Sequence, residues 1–366
     1  MKIGILTYHR AENYGALLQA YATMTYLRSL GHEVSFVDYW PKYHSDYFKI
    51  FPSERFREGT VRVKIGLLNR FLLWGLPKYI RKRNLRNFMK EKLGLGERPI
   101  YVSSKDQTIK YDVVIYGSDQ IWRKQHLGGV DFDEWYFGSE NVNAELKIAY
   151  AGSMGAIESD ESDKIFIKRM MKNFSKISVR ESDLSTYLNS LSIPSSVVID
   201  PVFLLTREQW REIEEPVKKN KKYILFYNLL NSHESTAFAE SLSNKTGLPI
   251  IEINKELSLK HLGKRYVSTA PIGRFLSLID GAEYVVSNSF HGVAFSLIFH
   301  KEFYAVGMSR KANRVISLLN IAGIGDRYVA EGALLELGKS IDYRVVDANT
   351  KKIIDFSKHF LYNITK

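Results

Sequence analysis

Apolar residues along this chain fall either into short unbroken runs or into longer stretches with helical spacing. "KIGILTY" (2–8) is a run of the strand type. "ALLQAYATMTYLRSLGH" (16–32) has apolar residues three and four apart and predicts a helix stopped at Gly31. "VSFVDY" (34–39) is strand-like again. Strand, helix and strand in that order predict a β-α-β unit and a parallel sheet. Further strand runs occupy 111–117, 147–152, 176–180, 196–201, 222–228, 248–254 and 282–288, and stretches such as "REQWREI" and "STAFAESLSNKTG" are helical. A strand ends at Asp200–Pro201 and the pattern restarts, which puts a boundary near 200–210. The pattern predicts an α/β protein of two Rossmann-like domains facing a central cleft. Residues 1–200 form the first domain and 201–340 the second; 341–366 form a C-terminal helix, read from "KKIIDFSKHFLYNI" (351–364), that packs back on the body. The length of 366 residues fits two cores better than one.

One stretch breaks the pattern. A basic helical insertion is expected over about 52–95; within it, residues 55–92 hold 12 Lys or Arg and only two acids, Glu58 and Glu91. Leu67, Leu68, Phe71, Leu72, Leu73 and Trp74 are interleaved with them. Such a composition suits a solvated basic face or an interfacial helix pair on an anionic membrane surface. The whole chain carries a formal charge of +12, which favours anionic partners. No nucleic-acid-binding motif accompanies the patch, so no nucleic acid is expected. The N-terminus is not of the signal-peptide type and no run of about 18 apolar residues occurs. The protein is therefore expected in the cytoplasm, peripheral to the inner face of the cell membrane. With no cysteine, a disulfide scaffold and thiolate metal sites are excluded.

The candidate chemistry lies in polar breaks that follow strands, the ligand edge of an open parallel sheet. His9, Asn13, Tyr14 and Gly15 crowd the loop after the first strand, where Asn13 would also serve as a helix cap. Ser118, Asp119, Gln120 and Trp122 follow the run at 111–117; the polar three suit sugar hydroxyls and Trp122 a sugar ring. Ser153 follows another strand among small residues. Arg180 ends the run at 176–180, where a guanidinium needs either an anion or a structural partner such as Glu181 or Asp183. In "SNSFHGVAF", Ser287, Ser289, Phe290 and Gly292 bracket His291 at a helix mouth, whose backbone N–H groups favour an anion. There is no HExxH, no GxSxG, no P-loop and no GxGxxG, so no metal is expected.

"LTYHRAENYGALLQAYAT", "YDVVIYGSDQIW", "YAGSMG", "ISVRESD", "VIDPVFLL" and "FLSLIDGAEYVVSNSFHGVAFSLIFHKEF", in that order, resemble the polysaccharide pyruvyl transferase family over roughly residues 2–330. The resemblance implies a two-domain, GT-B-like fold. It also implies transfer of the pyruvyl unit of phosphoenolpyruvate onto two hydroxyls of a sugar, giving a cyclic ketal and free phosphate. The acceptor would be a surface glycan or a lipid-linked precursor; phosphoenolpyruvate would be a co-substrate, and no cofactor is implied. An anion-binding arginine maps onto Arg180 and a donor-binding, acid/base histidine onto His291. Ser287, Ser289, Phe290, Gly292 and Arg314 would surround the donor, and the loops at 9–15, 118–122 and 153 the acceptor. Many members have Arg two residues before the histidine where this chain has Ser289; Arg314 or Arg310 could restore that charge. The competing expectations are a GT-B-like glycosyltransferase with a nucleotide-sugar donor and a non-enzymatic protein bound to membrane surfaces.

Overall fold

The computed structural model describes residues 1–101, 109–125, 131–155, 157, 159–216, 221–254, 263, 265–308, 312–330 and 338–364. Arg310 lies outside them. The first half builds a six-stranded sheet from β1 (Lys2–Leu6), β2 (Glu33–Phe36), β3 (Tyr111–Tyr116), β4 (Ala144–Gly152), β5 (Lys176–Val179) and β6 (Ser196–Val197). Its order is β2-β1-β3-β4-β5-β6 and every pairing is parallel. The second half builds a five-stranded parallel sheet from β7 (Ile224–Asn228), β8 (Ile250–Asn254), β9 (Tyr284–Ser287), β10 (Glu302–Val306) and β11 (Tyr328–Val329), in the order β11-β10-β9-β7-β8. Two such Rossmann-like sheets in one chain are the GT-B plan.

The unbroken apolar runs follow from burial on both faces of each sheet. In β1 and β3, Ile3, Ile5, Val113 and Ile115 join one core while Leu6, Val114 and Tyr116 join another. The first of these cores continues into the second half through Trp210, Phe275 and Phe295. Between the halves the chain turns at Asp200, whose carboxylate accepts from Val202 N at 3.1 Å and caps the short 3-10 turn Pro201–Leu204. That early turn leaves β6 only two residues long, against the six expected over 196–201. The C-terminal helix runs over Tyr343–Ile364, inside the 341–366 expected for it and eight residues longer at its start than the stretch 351–364 it was read from. It reaches back to the first half: Ser357 Oγ accepts from Ile199 N at 2.9 Å and Tyr26 donates to the Lys358 carbonyl.

The insertion is helical, though not as the helix pair of the membrane-surface reading. After the short helices Lys42–Tyr47 and Ser53–Glu58, a single helix of 31 residues runs over Val61–Glu91 and continues through Pro77. Pro77 removes one backbone donor without ending the helix. Leu85, Phe88 and Met89 anchor the C-terminal part in the core, whereas most apolar residues before Pro77 are exposed. No helix among the described residues is long and apolar enough to cross a membrane.

Candidate active site

In each sheet the strand order reverses at one point, between β1 and β3 in the first and between β7 and β9 in the second. In an open parallel sheet a ligand crevice lies at such a point, outside the carboxyl ends of the strands. Asn288 fixes the second one: its Oδ1 accepts from Leu229 N at 2.7 Å and its Nδ2 donates to Asn228 Oδ1 at 2.9 Å, tying the ends of β7 and β9 together. Ser287 Oγ accepts from Ser289 N at 3.0 Å and shapes the turn into helix Phe290–Ile298. Gly292 must lack a side chain there, because a Cβ would fall 2.2 Å from Ser287 Oγ. His291 leaves the first turn of that helix and rests against the other half. A Cβ on Gly15, in the first turn of helix Tyr14–Ser29, would lie 2.0 Å from His291 Nδ1.

The imidazole meets a buried polar cluster from the first half. Asp200 Oδ2 lies 3.8 Å from His291 Nε2, accepts from Arg180 Nη1 at 2.5 Å, and is within 3.3 Å of Ser118 Oγ. Arg180 also meets Glu181 Oε1 at 3.4 Å, and Ser153 Oγ donates to that same oxygen at 2.6 Å. The Phe290 ring packs against two cations, with guanidinium carbons 4.8 Å (Arg180) and 5.8 Å (Arg314) from its centroid. Among the described residues, Arg180 Nη2, Glu181 Oε2 and His291 Nε2 are buried without a hydrogen-bond partner. A cation, a carboxyl and an imidazole thus each keep an unused polar atom within one cluster. Among the described residues, no three His, Cys, Asp or Glu side chains gather as a metal site.

Burial sets the protonation states. It pushes the His291 pKa below the ordinary imidazole range, more strongly than Asp200 pulls it up, so the ring is neutral near pH 7. Burial alone would raise Asp200, but Arg180 and His291 hold its carboxyl below the usual range. In Glu181 burial wins and the carboxyl titrates above the usual range despite Arg180 and Arg314. Burial and the neighbouring Arg180 lower Arg314. The His291 shift has a measurable sign. As pH falls through about 6.5 the unfolded chain takes up a proton that folded His291 resists, so stability is lost with falling pH. His291→Asn is expected to flatten this fall in the urea midpoint between about pH 7.5 and 5. A slope unchanged by the substitution would show that His291 titrates alike in both states.

The structure sorts the sequence candidates. Ser118, Ser153, Arg180, Phe290, His291 and Arg314 come together, with Gly15 as the floor under His291. Arg180 takes Glu181 and Asp200 as partners; Asp183 instead caps Leu184 N. Asp119, half-buried and at a left-handed φ of 62°, holds its charge within electrostatic range of Arg180 and His291. Gln120 lies beside it, next to Gly155. Ser287, by contrast, is spent on its own turn, and Ser289 N-caps the helix without a side-chain bond to it. Asn13 is an exposed helix cap accepting from Gly15 N. Three residues expected at the acceptor are packed away. His9 is fully buried against Asp38 Oδ1 (3.2 Å) and Phe36. Tyr14 stacks on Phe275 and donates to the Ala270 carbonyl. Trp122 is fully buried, donates to the Tyr136 carbonyl and cannot face a sugar. Asp200 is the residue that sequence reading missed.

A family model described as polysaccharide pyruvyl transferase matches residues 13–310. The chain belongs to that family, whose members are transferases acting on polysaccharide. No curated protein sequence matches it. Among solved structures it is similar to UDP-GlcNAc 2-epimerase from Methanocaldococcus jannaschii in complex with UDP-GlcNAc and UDP, at 11% identity and TM-score 0.48, covering 100% of this chain and 99% of that one. The E. coli heptosyltransferase WaaC with ADP follows at 11% identity and TM-score 0.38, with 98% and 100% coverage. The glycosyltransferase SnogD from Streptomyces nogalater gives 11% and 0.39, with 98% and 94% coverage.

Proposed function

We propose that the protein moves the pyruvyl unit of phosphoenolpyruvate onto two hydroxyls of one sugar, in a surface glycan or a lipid-linked precursor, forming a cyclic ketal and releasing phosphate. The observation that carries this reading is the convergence of Arg180, Arg314 and His291 around Phe290 at the mouth of helix Phe290–Ile298. The donor brings close to three negative charges near pH 7, from its carboxylate and phosphate. Arg180 offers its unpartnered Nη2, Arg314 supplies the charge that Ser289 does not, and the free N–H groups of the helix's first turn point the same way. An anion there would also relieve the mutual repulsion of the two guanidinium groups.

Neutral His291 then suits the role of base. It takes the proton of the attacking hydroxyl as that oxygen bonds to the donor's C2, while C3 takes a proton from solvent water and becomes the methyl group, and the imidazolium returns its proton to solvent. Phosphate leaves with the C2–O pair, and the second hydroxyl closes the ketal, giving up its proton in turn. Asp200 stabilises the imidazolium formed on the way. The test is phosphate release from phosphoenolpyruvate in the presence of acceptor glycans, with mass analysis of the glycan and with UDP-sugars as a parallel arm. A mass gain matching a pyruvate ketal is the expected result. Turnover of a UDP-sugar with none of phosphoenolpyruvate would overturn the reading.

A further inference from the structure

We infer that helix Val61–Glu91 docks the protein on an anionic lipid bilayer. Its apolar half lies in the interface and its cationic half holds lipid phosphates. The helix presents one continuous face that changes character along its length. Val61, Ile65, Leu68, Leu72, Leu76 and Tyr79 follow three- and four-residue spacing and are each 43–78% exposed. Arg83, Arg86 and Lys90 continue the same spacing. At 100° per residue all nine positions fall in a sector about 80° wide, and the apolar part is about 27 Å long. Exposed apolar surface of this extent on one helix is costly in water and marks a contact.

The cationic end of this face borders a cavity of about 780 Å³ between the helix, the loop Arg10–Glu12 and the segment Leu95–Pro99. Arg83, Arg86, Lys90 and Arg98 line it, and among the described residues none of them forms an ion pair with a carboxylate. Glu12 and Glu97 line the cavity too, Glu12 already paired with Lys82, so these four cations keep the lining predominantly basic. Apolar surface running into them matches acyl chains running into phosphate headgroups. A second copy of the chain fits poorly. With 12 basic residues against two acids over 55–92, two such helices side by side would set like charges against each other. The dock also stands beside the site: Lys82 pairs with Glu12 at 2.7 Å, three residues before Gly15. An acceptor held in the same bilayer would thereby be presented near the cleft. The inference does not depend on the identity of the donor.

The full chain is to be sedimented with vesicles of phosphatidylcholine alone and of phosphatidylcholine mixed with phosphatidylglycerol, at low and high salt. Binding confined to the anionic vesicles and weakened by salt is expected. Arg83→Ser/Arg86→Ser/Lys90→Ser should weaken it by up to about a hundredfold, from about a fivefold step per cation. Leu68→Ser/Leu72→Ser should weaken it as well. All five positions are exposed, so unchanged urea midpoints are expected and serve as the folding control. Equal binding to both vesicle types, strong or negligible, overturns the inference, as does anionic binding that neither variant alters. A dimer in sedimentation velocity that Leu68→Ser/Leu72→Ser dissolves, with no vesicle binding, would assign the face to a second copy instead.

Discussion

Replacing His291 by alanine is expected to lower turnover with phosphoenolpyruvate about 10²–10⁴-fold while the protein stays folded, the contribution usual for a positioned acid or base. The ring is placed for that work and has no structural bond to lose. Its Nε2 has no hydrogen-bond partner, and the Asp200 carboxylate stands off at 3.8 Å. Gly15→Ala offers a second approach from the opposite half. The new Cβ would meet the imidazole at 2.0 Å and push it from its seat, so turnover should fall in the same direction. Near-normal turnover in His291→Ala would reduce the histidine to a packing residue and move the proton transfer elsewhere, with Glu181 the next candidate.

The second large effect is expected in stability. Asp200 and Arg180 form a buried ion pair, with side chains 0% and 3% exposed. Removing one member of such a pair leaves the other charge in a poorly solvating interior, at a cost of about 3–5 kcal/mol. Glu181 remains 3.4 Å from Arg180, so Asp200→Ala should fall toward the lower end of that range. The variant also loses the cap on Val202 N. Asp200→Asn keeps the shape and the cap acceptor and isolates the charge. Urea unfolding of the two variants beside the wild type gives the comparison. Identical midpoints would show that Arg180 finds full compensation without Asp200.

The sheets were legible because strands buried on both faces must be apolar at every position, and such runs survive any tertiary detail. β10 was hidden because its apolar run, Glu302–Val306, follows the helix Phe290–Ile298 almost without a break. Arg180 and His291 stood out because nothing local requires them at a strand end or helix mouth. Asp200 was hidden by its neighbour: Asp before Pro reads as a cap, and its Oδ1 does cap, while Oδ2 holds the cluster together. His9, Tyr14 and Trp122 misled for a related reason. A polar or aromatic side chain just after a strand can turn toward the crevice or into the core, and only packing from distant segments such as Ala270 and Tyr136 decides.

The contact between His291 and Gly15 joins residues far apart in sequence and belonging to different halves. Arg180, Glu181 and Asp200 come from one half, and Phe290, His291 and Arg314 from the other. Neither half by itself holds a rudimentary version of the chemistry. A slip of about 1 Å along the seam would leave every strand in place and still cost on the order of a hundredfold in rate. Catalysis in this chain therefore reports on how its halves are seated, and loosening that leaves secondary structure untouched would silence it.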